Sequence, residues 1–120
     1  THILELLADD KSSWLSTAVI SLLEELRTSK VQVGLVTSSE KSLVQNILKV
    51  LELEQYFDSI ITREDTTENK PSPMPYLQML KNLKRNCEEA FIFEDSPVGI
   101  EAASASLVPF GHAKWYPIRS

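Results

Sequence analysis

The sequence contains little cysteine, little glycine and no long apolar run, and each shortage excludes a class of protein. The single cysteine, Cys87, cannot form an internal disulfide, and no Cys/His cluster suits zinc. Three glycines, Gly34, Gly99 and Gly111, cannot form a Gly-x-Gly-x-x-Gly dinucleotide fingerprint. No apolar stretch approaches the ~20 residues that a membrane span needs. We therefore expect a cytoplasmic protein that neither crosses a membrane nor binds a dinucleotide.

Basic residues are also outnumbered. Twelve Lys+Arg against seventeen Asp+Glu give a net charge of −5, so a nucleic-acid-binding surface is not expected, whereas a local anion pocket is compatible with this balance. The chain has 120 residues, of which 42% are hydrophobic and 24% are charged. This size and composition predict one folded domain with a single core.

Apolar residues alternate along the chain between helical spacing and short β-branched runs. The spacing predicts helices over residues 14–28, 40–51, 74–85 and 98–105. Strands are predicted over residues 31–37, 59–62, 90–93 and 107–110. This order predicts an α/β fold, in which right-handed crossovers build a parallel sheet with helices on its faces.

Three polar clusters fall at or near the carboxyl ends of predicted strands, where parallel sheets bind their ligands. The first is the run Thr37-Ser38-Ser39, and the second is a loop in which Lys70 precedes two prolines. The third is the acidic pair Glu94 and Asp95, which directly follows a buried strand. Each cluster alone is weak, but their shared position at one edge points to a common site.

Each cluster suits phosphate chemistry, and each also has a purely structural interpretation. Thr37 and Ser38 offer hydroxyls and helix N-terminal amides to an anion, or they are a plain helix cap. Lys70 is placed to pair with a phosphate and a neighbouring carboxylate, or it is a solvated surface lysine. Glu94 and Asp95 favour a hard cation such as Mg²⁺, or they are helix N-terminal acids stabilised by the helix dipole. Taken together, the clusters predict metal-assisted handling of a phosphate.

Residues 33–39, 70–77 and 93–103 resemble motifs two, three and four of the haloacid dehalogenase-like (HAD) superfamily. The resemblance is to its β-phosphoglucomutase-like and phosphoglycolate-phosphatase-like branch and runs from about residue 16 to 105. It implies that Thr37 and the Ser38 amide hold the transferring phosphoryl group and that Lys70 neutralises it and orients the nucleophile. It also implies that Asp95, with Glu94 behind or beside it, holds Mg²⁺, and that Gly99 permits close helix packing.

The family's first motif, an Asp-x-Asp sequence after an apolar strand, is not found in this sequence. Asp9 follows an apolar stretch, but the residue two positions on is Lys11 and not an acid, which favours a helix boundary there. The resemblance therefore implies a HAD-like Rossmannoid three-layer core whose first, central strand and most of whose cap are absent from this chain. The corresponding division is a remnant of cap or linker (1–12), a core (13–110) and a C-terminal tail (111–120).

A missing central strand would leave two buried strands with unsatisfied backbone groups, at about 1–3 kcal/mol for each group. We therefore expect a fragment of a longer hydrolase, with a complementing chain or homo-oligomer and a repacked fold as the alternatives. The expected activity of the parent is Mg²⁺-dependent hydrolysis or mutase transfer on a small phosphorylated metabolite. This chain alone is expected to be inactive because its nucleophile is missing. The alternative function is a non-catalytic remnant that binds a phosphorylated ligand or a protein partner.

Overall fold

A computed structural model describes residues 5–7, 17–94 and 96–112 of the chain. The helices in these residues are α1 (Thr17–Thr28), α2 (Lys41–Val50), α3 (Met74–Leu83) and α4 (Pro97–Ser106). The strands are β1 (Glu5–Leu7), β2 (Val33–Val36), β3 (Ser59–Ile61), β4 (Phe91–Glu94) and β5 (Phe110–His112). Single 3₁₀ turns lie at Glu54–Tyr56, Arg63–Asp65 and Cys87–Glu89. In the part of the chain that the structure describes, no helix has the length and apolar character of a membrane span.

All five strands run parallel in one sheet with the order β3-β2-β1-β4-β5. Helices connect the successive strands from β2 to β5, with one helix in each crossover. The predicted α/β fold with a parallel sheet is therefore confirmed. Because every strand has the same direction, the residues that follow β2, β3 and β4 emerge at the same edge.

The central position of the sheet is held by β1, which contradicts the expectation that the central strand is absent from this chain. Glu5 and Leu7 pair with Val33 and Leu35 of β2, and Glu5 also pairs with Phe91 of β4. A strand of three residues shows no period that a sequence pattern can reveal, yet it satisfies backbone groups of both neighbours. The segment 1–12, expected to be a cap or linker remnant, thus contains a core strand. The reason for expecting a complementing chain or homo-oligomer falls away with this finding.

Two apolar clusters cover the two faces of the sheet. Because side chains alternate along a strand, Val33 and Leu35 of β2 pack on one face and Val36 packs on the other. The first face is covered by α1 and α2 through residues such as Leu23 and Leu48. The second face is covered by buried side chains of α3 and α4: Tyr76, Met79, Leu80, Leu83, Ala102 and Ala103. This three-layer arrangement is the one that the resemblance implies.

The last strand lies later in the chain than the sequence pattern predicted. Leu107 adopts a left-handed conformation with φ 68° directly after α4, and its amide donates to the Ser104 carbonyl at 3.3 Å. Residue 107 therefore closes the helix, as residues at this position commonly do. The strand begins only at Phe110 and ends at His112, so it includes the first residues of the predicted tail.

Candidate functional site

Lys70 lies at the carboxyl edge of the sheet, where it connects the ends of β2 and β4. Its Nζ donates to the backbone carbonyl of Val36, the last residue of β2, at 3.2 Å. The same ammonium group pairs with Oε2 of Glu94, the last residue of β4, at 2.8 Å. The predicted pairing of Lys70 with a neighbouring carboxylate is thus confirmed. Because Thr37 directly follows Val36, the lysine ammonium also lies beside the first polar cluster.

The Lys70–Glu94 ion pair is removed from water, and neither side chain is more than 1% exposed. The buried hydroxyl of Tyr76 in α3 donates to the same Glu94 oxygen, and the Lys70 ammonium lies 5.5 Å from the centre of the Tyr76 ring. The other carboxylate oxygen, Oε1, accepts from the backbone amide of Ser96 at 3.3 Å and from its hydroxyl at 3.2 Å. Buried charges persist when they are paired and hydrogen-bonded in this way. The alternative of a solvated surface lysine is therefore wrong.

The first turn of α4 is built around the Glu94 carboxylate. Ser96 is the N-cap of α4, and its hydroxyl accepts from the Gly99 amide at 3.1 Å, while Pro97 occupies the first helical position. A Cβ atom at Gly99 would lie only 1.9 Å from Cδ of Glu94. A glycine is thus what lets the helix approach the carboxylate so closely. Both Glu94 oxygens face donors of this protein, which places Glu94 as the partner of Lys70.

Thr37 is buried, with 2% of its surface exposed, and the loop around it is held by backbone and side-chain bonds. Its amide donates to the Ile61 carbonyl of β3 at 2.9 Å. Its hydroxyl oxygen accepts from the Ser39 amide at 3.1 Å. A hydroxyl that already accepts one hydrogen bond still has its proton to donate to another acceptor.

The N-terminus of α2 is already occupied by an anion of the protein. Glu40 is the N-cap but makes no cap bond with its side chain. Instead, the Lys41 amide donates to the carboxylate of Glu64, which lies in the 3₁₀ turn after β3, at 2.8 Å. The Ser39 amide is bound to Thr37, as described above. The amides of Ser39 and Lys41 at this helix terminus, where the sequence suggested donors to an anion, are therefore already bonded within the protein.

Acidic residues of the turn after β3 are held in their charged form by these contacts. The hydrogen bond from the Lys41 amide lowers the pKa of Glu64. Partial burial acts to raise the pKa of Asp65, but hydrogen bonds from the Lys41 ammonium and from the amide and hydroxyl of Thr62 outweigh it, so that this pKa is lowered. A carboxyl whose pKa is lowered by folding stabilises the fold above its unfolded pKa, and this contribution is lost as the pH falls through the folded value.

Replacing Asp65 by asparagine is expected to destabilise the chain at pH 7 and to have much less effect in acid. Asparagine cannot form the ion pair with Lys41, whose nitrogen lies 2.9 Å from the carboxylate. The difference in unfolding free energy between wild type and D65N should begin to shrink below about pH 3.8, the ordinary pKa of an aspartate carboxyl group, because Asp65 then becomes protonated, first in the unfolded chain. Urea unfolding at pH 7 and at pH 3 measures this difference. A difference that does not change with pH would contradict the assignment.

Asp95, the predicted metal ligand, and Asp9, the position considered for the nucleophile, lie outside the described residues, as does the neighbouring Asp10. Asp95 directly follows Glu94 at the end of β4, and Asp9 and Asp10 follow β1. The described residues contain no group of three or more His, Cys, Asp or Glu side chains that could hold a metal ion. The metal role predicted for Glu94 and Asp95 therefore stays a prediction.

Comparison with known proteins identifies the family. The sequence model described as "Haloacid dehalogenase-like hydrolase" matches residues 5–113, which is most of the chain. The chain belongs to the haloacid dehalogenase-like hydrolases. The resemblance to this superfamily is thereby confirmed. The similarity to its phosphoglycolate-phosphatase-like and β-phosphoglucomutase-like branch is confirmed by two matches. A phosphoglycolate phosphatase of Aquifex aeolicus is 33% identical over 78% of this chain and 44% of its own length, and a structure from Thermotoga maritima assigned as a β-phosphoglucomutase has a TM-score of 0.73 at 30% identity over 82% of this chain and 47% of that one.

Several relatives in this HAD-like family carry the names of phosphatases. A protein of Caldanaerobacter subterraneus assigned as the pyrophosphatase PpaX is 35% identical over 88% of this chain and 48% of its own length. The phosphorylated carbohydrates phosphatase of Thermotoga maritima is 33% identical over 70% of this chain and 39% of its own. A HAD-superfamily hydrolase structure from Geobacter sulfurreducens superimposes with a TM-score of 0.73, at 29% identity, over 79% of this chain and 48% of that one. The chain thus spans about half or less of the length of the proteins that it matches.

Two parts of this HAD-like site were not recognised from the sequence. Tyr76 lies at an apolar position of the helical period within residues 74–85, and nothing in that period distinguishes a core tyrosine from one that donates a hydrogen bond to Glu94. The turn Arg63–Asp65 lies in a polar stretch of the sequence, residues 63–73, for which the composition indicates no function beyond a loop. A capping box between Thr62 and Asp65 was the one local signal available for that turn.

Proposed function

We propose that this chain is the phosphate-handling part of a Mg²⁺-dependent phosphohydrolase that acts on a small phosphorylated metabolite. The observation that carries the proposal is the buried Lys70–Glu94 ion pair beside Thr37 at the carboxyl edge of a HAD-like sheet. A lysine held in this way is a fixed positive charge at the place where ligands of such sheets bind. The names of the relatives, which include phosphatases for phosphorylated carbohydrates and phosphoglycolate, support this class of substrate.

In this proposal, Lys70 and Thr37 bind the transferring phosphoryl group. The Lys70 ammonium stabilises negative charge on the phosphoryl oxygens, and its orientation is set by Glu94 and the Val36 carbonyl. The Thr37 hydroxyl donates its proton to one phosphoryl oxygen because its own oxygen already accepts from Ser39. Ser38 adds its backbone amide, as the family resemblance implies.

The residue that would hold Mg²⁺ is Asp95, with Glu94 behind it. Both oxygens of Glu94 are engaged by Lys70, Tyr76 and Ser96, so this carboxylate fits a supporting role and not direct ligation. Asp95 is the next residue of the chain and supplies the hard oxygen donor that Mg²⁺ prefers. When bound, the cation would neutralise charge that develops on the phosphoryl group.

The carboxylate nucleophile that the family resemblance implies is proposed to lie on an aspartate outside this chain. The strand β1 holds the central position, but Asp9-Asp10-Lys11 follows it without the second acid that the Asp-x-Asp motif requires. The chain alone is therefore expected to bind phosphate without turning it over. Turnover by the isolated chain that disappears in Asp9→Asn and persists in Asp10→Asn would overturn this assignment and identify Asp9 as the nucleophile.

Replacing Asp95 by asparagine tests the proposed metal site in the protein made from the whole reading frame. With Mg²⁺ and a small phosphomonoester, kcat/KM of the variant should fall by about 10²–10³-fold, because asparagine lacks the negative charge that a hard cation needs. Its unfolding temperature should stay close to that of the wild type. Glu101→Gln, an exposed residue of α4, is the matched control and should keep full activity.

Two results would contradict the proposed function. Activity of the Asp95→Asn variant that equals the wild type would exclude Asp95 as the metal ligand. A whole-length wild-type protein that binds phosphate but hydrolyses no phosphomonoester with Mg²⁺ would favour the alternative, a HAD-like domain that binds a phosphorylated ligand without catalysis.

A further inference from the structure

The turn Arg63–Asp65 is bonded to the loop that the proposed function assigns to phosphate binding. The Arg63 amide donates to the Ser39 carbonyl at 3.0 Å. The Arg63 side chain donates from Nε to the Ser38 carbonyl, also at 3.0 Å. One arginine thus binds two successive carbonyls of the loop, one through its backbone and one through its side chain.

These two bonds determine where the amides of the loop point. In a planar trans peptide the carbonyl of one residue and the amide of the next point in opposite directions. Since the carbonyls of Ser38 and Ser39 face Arg63, the amides of Ser39 and Glu40 are turned to the opposite side. The Ser39 amide donates there to the Thr37 hydroxyl oxygen at 3.1 Å, which fixes the orientation of that hydroxyl.

Hydrogen bonds and an ion pair hold the turn against α2, so the backbone position of Arg63 relative to the loop is fixed. The amide and hydroxyl of Thr62 both donate to Asp65, each at 2.8 Å. The Lys41 amide donates to Glu64 at 2.8 Å, and the Lys41 ammonium pairs with Asp65 at 2.9 Å. The turn therefore stays in register with the loop independently of the Arg63 side chain.

We propose that Arg63 is a positioning residue for phosphate binding, which acts through the Ser38 carbonyl to orient the Ser39 amide and the Thr37 hydroxyl. The inference rests on the proposed function, because it assumes that Thr37 donates to the phosphoryl group. It assigns the effect to the Nε–H donor of Arg63 and not to the positive charge of its guanidinium group. Arg63 itself does not contact the phosphoryl group in this account.

Two substitutions separate the donor from the charge. In Arg63→Gln, the amide nitrogen of glutamine lies the same number of bonds from Cα as the arginine Nε, so the donor is kept and the charge is lost. In Arg63→Met, the chain has a similar length and has neither. The Arg63 side chain is more than half exposed, with 56% of its surface accessible, so both variants are expected to fold.

Titration of the chain with inorganic phosphate, followed by amide chemical shifts, gives the first readout. Arg63→Met should weaken phosphate binding about tenfold, the upper end of the range for one ordinary hydrogen bond, and Arg63→Gln should stay within about threefold of the wild type. Amide hydrogen exchange gives the second readout without phosphate. The Ser39 amide should exchange about tenfold faster in Arg63→Met than in Arg63→Gln or the wild type.

Equal phosphate affinity and equal Ser39 exchange in all three proteins would overturn the proposal. It would also be overturned if Arg63→Gln were as impaired as Arg63→Met while Arg63→Lys bound phosphate normally, since the charge would then act directly. A wild-type chain that binds no phosphate would contradict the proposed function alone. In that case the Ser39 exchange rates still decide whether Arg63 orients the loop.

Discussion

Replacing Lys70 by methionine is expected to lower the free energy of unfolding by about 3–5 kcal/mol, the usual effect of removing one partner from a buried ion pair. Lys70 and Glu94 are 2.8 Å apart and at most 1% exposed, so loss of the ammonium group leaves the buried Glu94 carboxylate without its counter-charge. The total stability of a domain is only about 5–15 kcal/mol, and this change is a large part of it. Thermal unfolding should show a decrease of about 12–20 °C for a chain of this length.

A second substitution separates the charge from the packing. In Lys70→Met/Glu94→Gln both charges are removed. The glutamine carbonyl oxygen can still accept from the amide and hydroxyl of Ser96, while its NH₂ group donates to the Tyr76 hydroxyl oxygen. The double variant should recover to within about 1–2 kcal/mol of the wild type, because neutral replacement of a buried pair is often tolerated. Lys81→Met, at an exposed position of α3, is the control and should change stability by less than about 0.5 kcal/mol.

A loss of less than about 1 kcal/mol in Lys70→Met would contradict this account, since such a value is typical of an exposed ion pair. A double variant that is less stable than the single one would also contradict it. The Glu94 carboxylate would then have to be stabilised by its remaining donors alone.

The second large effect is expected at Gly99, where alanine should destabilise the fold by about 3 kcal/mol or more. Inside a helix, alanine is intrinsically favoured over glycine by about 0.5–1 kcal/mol, so propensity alone predicts the opposite sign. The added methyl group, however, would lie 1.9 Å from Cδ and 2.1 Å from Oε2 of Glu94. Glu94 cannot move aside without losing Lys70, and displacement of the helix would disturb a packed core.

Gly111→Ala is the matched control for this substitution. A Cβ atom at Gly111 would lie 3.2 Å from the Phe91 ring, a contact that a shift of a few tenths of an ångström relieves. We expect a change within about 1 kcal/mol there, measured by the same urea unfolding experiment. A Gly99→Ala variant that is as stable as the wild type or more so would show that the carboxylate is not confined by α4.

The proposed phosphate site could be predicted from the sequence to the extent that its residues lie next to strand ends. Each of its residues lies beside a local sequence signal. Thr37 follows an apolar run, Lys70 precedes two prolines, and Glu94 precedes the start of a helix. A parallel sheet brings such positions together regardless of their distance along the chain, which explains why Lys70 and Glu94 were placed at one edge. The bounds of the buried strands β2, β3 and β4 were likewise predicted to within one or two residues.

Contacts between distant side chains could not be predicted in the same way. Tyr76 has a core position on α3 by its helical period, and its hydroxyl bond to Glu94 depends on how α3 lies across β4. Arg63 binds carbonyls that are about 25 residues earlier in the chain, and no spacing rule connects the two segments. The strand β1 was missed for a different reason, since three residues carry too little pattern to distinguish a strand from a linker.

Binding of inorganic phosphate by the chain tests whether Lys70 and Thr37 form the proposed phosphate site. The amide resonances of residues 37–39 should shift on addition of phosphate to the wild type and saturate. The same titration of Lys70→Met/Glu94→Gln, which is expected to keep the fold, and of Thr37→Val should give no saturable shift in the same concentration range. Phosphate binding of equal strength in the wild type and in the Lys70→Met/Glu94→Gln variant would contradict the claim.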